Sequence, residues 1–392
     1  MILQLLFWIF LGLIGYAYLG YTLVLLLLAG IRKIIYRSKD SATSGNLAPP
    51  VTLFIPAYNE LNCIEAKVAN TAALNYPANL LKVVWITDGS DDGSVERLRY
   101  IDGITVLHAQ ERRGKIHAMN RAIALTDTPI IVFTDANTML NPAAIHELVK
   151  RFADEKTGCV AGEKRISAAG REKAVSAGEG LYWKYESFVK WLESETGSAV
   201  GAVGELFALR RELYTAVKED TLLDDFTISL TIAAKGYRIR YAPGAWGTET
   251  ASVSIAEEMK RKIRIATGGF QTLFRMKGLL NPFRHGLLTF KYFSHKVLRW
   301  TLVPVSFPLV LLLNAAIMLV PGHAIIYTTL FIMQCIYYLI VMAGAMLHQT
   351  KPGLKVIFAP YYLLVINYAV LTGMFRYFSG RYSVNWQKVK RS

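Results

Sequence analysis

The sequence predicts an α/β domain with a mostly parallel sheet, flanked on both sides by membrane-spanning helices. In the middle of the chain, short apolar β-branched segments alternate with amphipathic ones, which is the pattern of βαβ units. Charged residues are absent from residues 1–31, 300–350 and 356–375. Each of these stretches can hold at least one span of about 20 residues. The 392-residue chain is 53% hydrophobic, and its apolar excess is concentrated in these stretches.

The first apolar stretch predicts a retained anchor rather than a cleaved signal peptide. Its start is uncharged, and it is longer than the roughly 7–15-residue apolar core of a signal peptide. Basic residues follow it at Arg32, Lys33, Arg37 and Lys39, which places the next domain in the cytoplasm. The expected divisions are an anchor at 1–31, a basic juxtamembrane linker at 32–50, an α/β domain at 51–275, an interfacial amphipathic segment at 276–299, a transmembrane region of about three hydrophobic segments at 300–375, and a basic tail at 376–392.

The formal net charge of +15 points to membrane lipids rather than nucleic acid as the partner. The basic residues cluster beside the hydrophobic segments, where they face anionic headgroups, and no nucleic-acid-binding motif is recognisable. The three cysteines are scattered, which favours a reducing compartment over a disulfide framework or a metal cluster. The sequence carries no signal for the oligomeric state.

The segment at 129–138 is the centre of the predicted domain. Four apolar residues at 130–133 indicate a buried strand that delivers Asp135, Ala136 and Asn137 to its carboxyl end. Open α/β sheets bind ligands at that end. The side chains of Asp135 and Asn137 offer oxygens to a hard divalent cation, although Asp and Asn at such a position are also common turn and cap residues.

The other elements are expected in an order that continues this alternation. A helix near 177–195 carries many aromatic residues, which we interpret as ordinary core or a membrane-facing surface. The remaining predictions are strands at 51–55, 81–86, 104–107, 201–211 and 237–241, and helices at about 60–73, 115–125 and 221–235.

Several short motifs, each weak alone, occur together in a fixed order. They are residues 51–60 (VTLFIPAYNE), Thr87-Asp88-Gly89-Ser90, Gly114-Lys115 with Asn120, Asp135-Ala136-Asn137, Gly201 to Gly204, Asp224-Asp225-Phe226, and Arg261 to Arg264. Over about residues 51–271 this set resembles the membrane-embedded glycosyltransferases of family 2, which have the Rossmann-like GT-A fold. That family includes synthases of cellulose, chitin, hyaluronan and poly-N-acetylglucosamine, and ceramide glucosyltransferases.

The resemblance implies a nucleotide pocket and a metal-binding motif. Asp135, Ala136 and Asn137 match the family's DxD motif, which holds Mg²⁺ or Mn²⁺ with the diphosphate; Asn137 lacks the second charge. Lys115 is placed to offset phosphate charge, or is a solvated helix end. The nucleotide-binding residues implied are Pro56, Ala57, Tyr58, Glu60 and Asp88, with Asp88 meeting the base.

The resemblance also implies a catalytic base and an acceptor side. Asp225 matches the base that takes a proton from the acceptor hydroxyl, and Asp224 beside it would raise its proton affinity. The alternative is that both residues cap the following helix. Arg264 matches an arginine that contacts the diphosphate, whereas Arg261 and Ile265 replace the Gln and Trp of processive members. We assign Asp224 and Arg261 to the acceptor side; a basic helix at the membrane surface is the alternative for the second stretch.

The function implied is an inverting transfer of sugar from a nucleotide-sugar, UDP-linked, to a polysaccharide or lipid-linked acceptor at the cytoplasmic face of the bacterial inner membrane. The alternatives are a non-processive glycolipid-forming transferase and a catalytically weak accessory subunit that binds nucleotide-sugars. Four full spans would place the basic tail outside, against the charge rule. We therefore expect that either the segment at 300–320 or the one at 356–375 does not cross, the latter being the weaker.

Overall fold

The computed structural model describes residues 1–35, 48–167, 173–250, 254–347 and 355–382. Its strands are β1 (Val51–Ala57), β2 (Leu81–Asp88), β3 (Ile104–Ala109), β4 (Ile130–Thr134), β5 (Met139–Leu140), β6 (Thr157–Ser167), β7 (Leu206–Arg210) and β8 (Arg238–Thr250). Its helices are α1 (Ile2–Gly15), α2 (Tyr21–Ile35), α3 (Leu61–Ala72), α4 (Ser94–Arg99), α5 (Lys115–Ala124), α6 (Ala144–Lys150), α7 (Lys173–Glu195), α8 (Asp224–Ala234), α9 (Ile255–Arg275), α10 (Pro282–His285), α11 (Leu287–Tyr292), α12 (Leu298–Trp300), α13 (Leu302–Met318), α14 (Ile325–Leu347) and α15 (Lys355–Phe378).

The strands form one eight-stranded sheet in the order β3-β2-β1-β4-β7-β6-β8-β5. The first four strands of this order run parallel, as do β6 and β8, while β7 lies antiparallel between β4 and β6. The predicted mostly parallel α/β class is confirmed. The carboxyl ends of β1, β2 and β4 meet at one edge, since Phe54 is in register with both Val84 and Phe133. That edge receives the motifs that follow these strands.

Helices cover both faces of the sheet. On one face, the stacked rings of Phe54, Phe133 and Phe207 pack with residues of α5 and α8. On the other, alternate residues of the same strands, such as Leu53 and Val132, pack with α3 and α6. Side chains alternate along a strand, so each central strand must be apolar on both faces. Burying one such side chain stabilises the fold by about 1.5–3 kcal/mol.

Two predictions in the second half of the domain were inaccurate. The strand predicted at 201–211 begins only at Leu206, because Gly201 adopts a φ of +90° and a Cβ there would overlap the Phe226 ring. The residues of β6 were not recognised as a strand. Its sequence mixes glycines and charges, and Gly158 and Gly162 are required because neighbouring side chains fill the space of a Cβ.

Some of the apolar stretches form continuous helices, and one forms a bent pair of helices. A π segment, Tyr16–Gly20, joins α1 and α2 into one apolar helix, Ile2–Ile35, and α14 and Phe358–Phe378 are also long and apolar enough to cross a membrane. The helix pair Leu287–Trp300 and Leu302–Met318 is bent by 52°. Helix α15 continues through Pro360. The break therefore falls in the first of the two suspected segments, not in the one expected to be weaker.

The candidate membrane helices and the segment before α13 pack directly on the α/β domain. Gly373 of α15 lies against Ala266 and the backbone of α9, leaving no room for a Cβ. Arg299 of α12 donates to the carbonyl of Ala17 and to Glu186 of α7. Tyr21 of α2 donates to Glu193 of α7 at 2.6 Å. These contacts hold α7, α9 and α15 in position around one cavity.

Candidate active site

A cavity of about 250 Å³ lies between the carboxyl edge of the sheet and the membrane helices. Its two ends differ in the elements that build them. The strand end is the part of the cavity lined by Lys115, Asp135, Glu205, Asp224 and Asp225. The membrane end is the part lined by Tyr182, Trp183, Lys190, Lys296, Trp300, Ile366 and Val370.

A smaller cleft adjoins the strand end and shares Lys115 with it. It is lined by Pro56, Ala57, Tyr58 and Asp88, four of the predicted nucleotide-binding residues. The Arg112 guanidinium lies 3.8 Å from the centre of the Tyr58 ring. The fifth predicted residue, Glu60, is buried at the start of α3 and does not line this cleft.

Asp88 shapes this cleft through backbone contacts. One carboxylate oxygen accepts the N–H groups of Arg113 and Gly114, at 3.0 and 2.5 Å. The other oxygen is buried and has no hydrogen-bond donor among the described residues. Asp88 therefore holds the loop before α5 with one carboxylate oxygen, and its other oxygen remains available to accept a hydrogen bond from a ligand.

Lys115 joins two predicted site residues. Its ammonium lies 3.0 Å from Asp135 Oδ1 and 2.9 Å from Asp224 Oδ2. Burial opposes the charge on Lys115, but these two carboxylates hold its pKa above the usual range. The alternative of a solvated helix end is wrong, since only 18% of the Lys115 side chain is exposed.

Charged side chains that the sequence analysis did not assign surround Asp135. Lys67 donates to the hydroxyl of Thr134, and burial lowers its pKa to about 7. Lys164 pairs with Glu205 and, at 2.7 Å, with Glu249. Burial raises the pKa of Asp135; Lys115 opposes this, and Glu249, Glu205 and Asp224 add to it. These residues come from separate elements, so no local spacing in the sequence marked them.

The donor set at Asp135 and Asn137 fits a divalent cation. Lys115 contacts Asp135 Oδ1, and the Asp135 carboxylate and the Asn137 amide are oxygen donors of the kind that hard divalent cations accept. Within the described ranges, no three His, Cys, Asp or Glu side chains could enclose a metal by themselves. Mg²⁺ is commonly held by one or two carboxylates and completed by substrate phosphates and water. A cation here would accordingly share its ligands with a bound diphosphate.

Asp225 faces the cavity rather than capping its helix. The N-cap of α8 is Leu223, and no side chain bonds to the cap. The Asp225 carboxylate lies against Gly204, where a Cβ would sit 3.5 Å from Oδ2. Burial, reinforced by the charges of Asp224 and Glu205, raises the pKa of Asp225 to about 7. A carboxylate with this pKa is suited to accept a proton near neutral pH.

Helix α9 contributes the basic wall of the cavity. Arg261 forms a bidentate pair with Glu258, at 2.9 and 3.0 Å, and its guanidinium also lies 4.0 Å from Glu205. Glu258 is fixed in turn by the hydroxyl of Tyr362 at 2.9 Å. Arg264 and Ile265 line the cavity beside them. Arg261 is thus held at the cavity wall by its buried ion pair with Glu258.

The aromatic residues of α7 are only partly what we expected. Phe188 and Trp191 are each 41% exposed and stack on one another, as a membrane-facing surface predicts. Tyr182 and Trp183 instead line the cavity, so the interpretation as core or surface was wrong for them. The Lys262 ammonium lies 4.6 Å from the Tyr182 ring centre. The aromatic residues occur all along α7, so their positions in the sequence could not show which of them face a cavity.

Comparison with known proteins identifies the class to which this fold and site belong. A family model described as glycosyltransferase like family 2 matches residues 49–268, more than half of the chain. The chain belongs to this family and is a glycosyltransferase.

Two of its curated relatives are polysaccharide synthases. Poly-beta-1,6-N-acetyl-D-glucosamine synthase of Staphylococcus aureus (strain MSSA476) is 28% identical over 237 residues, 57% of this chain and 56% of the relative. The enzyme of the same name from Staphylococcus epidermidis is 23% identical over 256 residues, 62% of this chain and 59% of the relative. The match spans little more than half the length of these relatives.

A solved structure shares the architecture along almost the whole chain. It is a mannosyltransferase from Pyrobaculum calidifontis, in complex with GDP-Man and Mn²⁺. The TM-score is 0.69 at 24% identity, covering 96% of this chain and 100% of that one. The predicted GT-A fold is confirmed.

Proposed function

We propose that this glycosyltransferase is an inverting enzyme that moves a sugar from a UDP-sugar to a lipid-linked acceptor at the membrane surface. One observation carries the proposal. The half-buried carboxylate of Asp225 shares a continuous cavity with Asp135 and Lys115, and that cavity extends to Ile366 and Val370 of α15.

Asp225 supplies the proton acceptor for this reaction. An acceptor oxygen attacks the anomeric carbon, its proton passes to the Asp225 carboxylate, and the bond from the anomeric carbon to the diphosphate breaks on the opposite side. The electron pair leaves with the diphosphate. A single displacement of this kind inverts the anomeric configuration, and much of its acceleration comes from holding the reactants in position.

The donor binds at the strand end and the adjoining cleft. Pro56, Ala57, Tyr58 and Asp88 hold the nucleoside, and Lys115 and Arg264 offset the charge of the diphosphate. Asp135 and Asn137 would hold Mg²⁺ or Mn²⁺, which supplies positive charge to the leaving diphosphate. The mannosyltransferase with the same fold was solved with GDP-Man and Mn²⁺, which supports a nucleotide-sugar and a metal here.

The acceptor enters from the membrane end. A lipid chain can lie along Ile366 and Val370 while a headgroup hydroxyl reaches Asp225. A polysaccharide acceptor is the second candidate, favoured by the name of the staphylococcal relatives. The basic residues that follow α2 support a cytoplasmic location of the site.

Purified protein in lipid nanodiscs, incubated with α-linked UDP-sugars and other nucleotide-sugars with and without Mg²⁺ or Mn²⁺, tests the proposal. We expect release of UDP that requires the metal. Release from GDP-sugars alone would replace the donor, and metal-independent release would remove the role given to Asp135 and Asn137.

A further inference from the structure

The membrane end contains a buried lysine that has no hydrogen-bond or ion-pair partner among the described residues. Lys190 of α7 is 5% exposed and lines the cavity. It makes no hydrogen bond and no ion pair with any residue that the structure describes, and its ammonium lies 5.8 Å from the centre of the Trp183 ring. Buried ammonium groups are normally paired, because desolvating an unpaired charge is costly. Such a group facing a cavity indicates an anionic ligand.

The carboxylate nearest to the two lysines of this region is shared with other cations. Lys296 also lines the membrane end, and its ammonium is 3.7 Å from Glu186. That carboxylate is already held by Arg299 at 2.7 Å and by His295 at 3.1 Å. Burial, with the nearby charge of Lys296, lowers the pKa of Lys190 to about 8. The carboxylates of Glu186, Glu205 and Asp225 act on this pKa in the opposite direction without cancelling the shift. Glu186 therefore does not neutralise both lysines.

The position of Lys190 restricts the chemistry of the anion. It stands on the α7 side of the cavity with Tyr182 and Trp183, whereas the residues assigned to the donor diphosphate, Lys115 and Arg264, come from α5 and α9. Trp300 and the apolar side chains of α15 continue the wall toward the membrane. A compact anion joined to an apolar chain satisfies both features, and phosphoryl oxygens suit ammonium donors.

We infer that the membrane end binds the phosphoryl group of an amphiphilic acceptor in which phosphate links the lipid chain to the part that is glycosylated. This inference rests on the proposed function and names the acceptor class for the same site. Lys190 and Lys296 contact the phosphate, Tyr182 and Trp183 pack against the headgroup, and a headgroup hydroxyl is presented to Asp225. A phospholipid headgroup and a lipid-linked sugar phosphate share this chemistry.

The test compares two amphiphiles that differ only in the phosphate. Calorimetry measures binding of the dodecyl ester of glucose 1-phosphate and of dodecyl glucoside to wild-type protein in nanodiscs of neutral lipid. The phosphate ester should bind roughly tenfold more tightly or better, the scale of one charge-assisted hydrogen bond. Equal affinities would overturn the inference. Equally tight binding of inorganic phosphate would show a free-phosphate site and overturn the lipid part.

Variants of α7 assign the effect to one side chain. Lys190→Gln should abolish the preference for the phosphate ester, while Lys190→Arg should retain it. Lys184→Gln, at an exposed position of the same helix, is the matched control and should also retain it. If Lys190→Gln does not fold, Lys296→Gln takes its place. A preference that survives in the Gln variant used would overturn the assignment.

The pH dependence separates a charge effect from a structural one. The preference should be full below about pH 8 and fall above it, because Lys190 then loses its proton. A preference independent of pH between 6 and 10 would contradict the role of the ammonium. Turnover of UDP-sugars by the same wild-type sample distinguishes the two proposals: turnover without a phosphate preference overturns only the acceptor class, whereas no turnover of any UDP-sugar overturns the proposed function.

Discussion

The strand end and the membrane end of the cavity differ in how their buried lysines are paired with carboxylates. At the strand end the cation of Lys115 is shared between Asp135 and Asp224, both within 3.0 Å. At the membrane end Lys190 is more deeply buried and has no carboxylate within ion-pair distance among the described residues. Paired charges are held in position before any ligand arrives, whereas an unpaired one is satisfied only when a ligand binds.

This difference separates two roles that one cavity must combine. The strand end has to hold a reacting diphosphate and a base in fixed positions, which preorganised charges achieve. In the proposed function, the membrane end admits an acceptor from the lipid phase and discriminates by its charge. Changes at the strand end should therefore reduce the rate of transfer, and changes at the membrane end should alter the choice of acceptor.

Asp225→Asn is expected to have the largest effect. It keeps the size of the side chain but cannot accept the proton, so transfer should fall by about 10²–10⁴-fold. UDP binding, measured by calorimetry, should change little. Asp127→Asn, which removes an exposed carboxylate paired with Lys82, is the control. Wild-type turnover by Asp225→Asn would remove this residue from the mechanism.

Asp135→Ala should abolish the metal-supported part of UDP binding. The loss should exceed the roughly 10–100-fold that removal of an outer-shell partner costs. Asn137→Asp should be tolerated and should tighten metal affinity, because it adds a charged oxygen. Titration of UDP with and without Mn²⁺ measures both variants. Equal UDP affinity of the wild type in the two conditions would contradict the metal site.

The strand end was largely predictable from sequence, and the membrane end was not. Asp88, Lys115 and Asp135 each follow or precede a recognisable strand or helix, so their meeting follows from the geometry of a parallel sheet. Lys190 and Ile366 lie on helices far apart in sequence, and only the packing of α7, α9 and α15 brings them together.

The buried ions around Asp135 were missed for the same reason. Lys164 and Glu249 come from strands β6 and β8, and no local sequence pattern predicted that these strands pair. The bend between α12 and α13 could not be predicted from prolines alone, because prolines occur in both suspected segments, yet α15 remains continuous.

The rate of transfer should depend on pH through Asp225. Below its pKa of about 7 the carboxyl group is protonated and cannot act as the base, so the rate should fall about tenfold per pH unit on the acid side. Asp224→Asn removes a like charge and should shift this acid limb to lower pH. A profile of wild-type turnover that is flat from pH 5 to 8 would show that another group takes the proton.

A smaller effect is expected where the membrane helices pack on the domain. Gly269 of α9 lies against the Trp300 ring, so Gly269→Ala should destabilise the protein by about 1–3 kcal/mol. Gly278→Ala, with nothing within 4 Å of its Cβ position, is the matched control. Thermal unfolding in detergent compares them. An unchanged Tm for Gly269→Ala would show that this contact does not support the membrane end.

The most direct measurement follows the sugar itself. Wild-type protein in nanodiscs of bacterial lipid extract receives α-linked UDP-sugars, the products are divided between organic and aqueous phases, and NMR reads the anomeric linkage. We expect UDP in the aqueous phase and a β-linked sugar on a phosphate-containing lipid in the organic phase. An α-linked product, or a product found wholly in the aqueous phase, would contradict an inverting transfer to a lipid-linked acceptor.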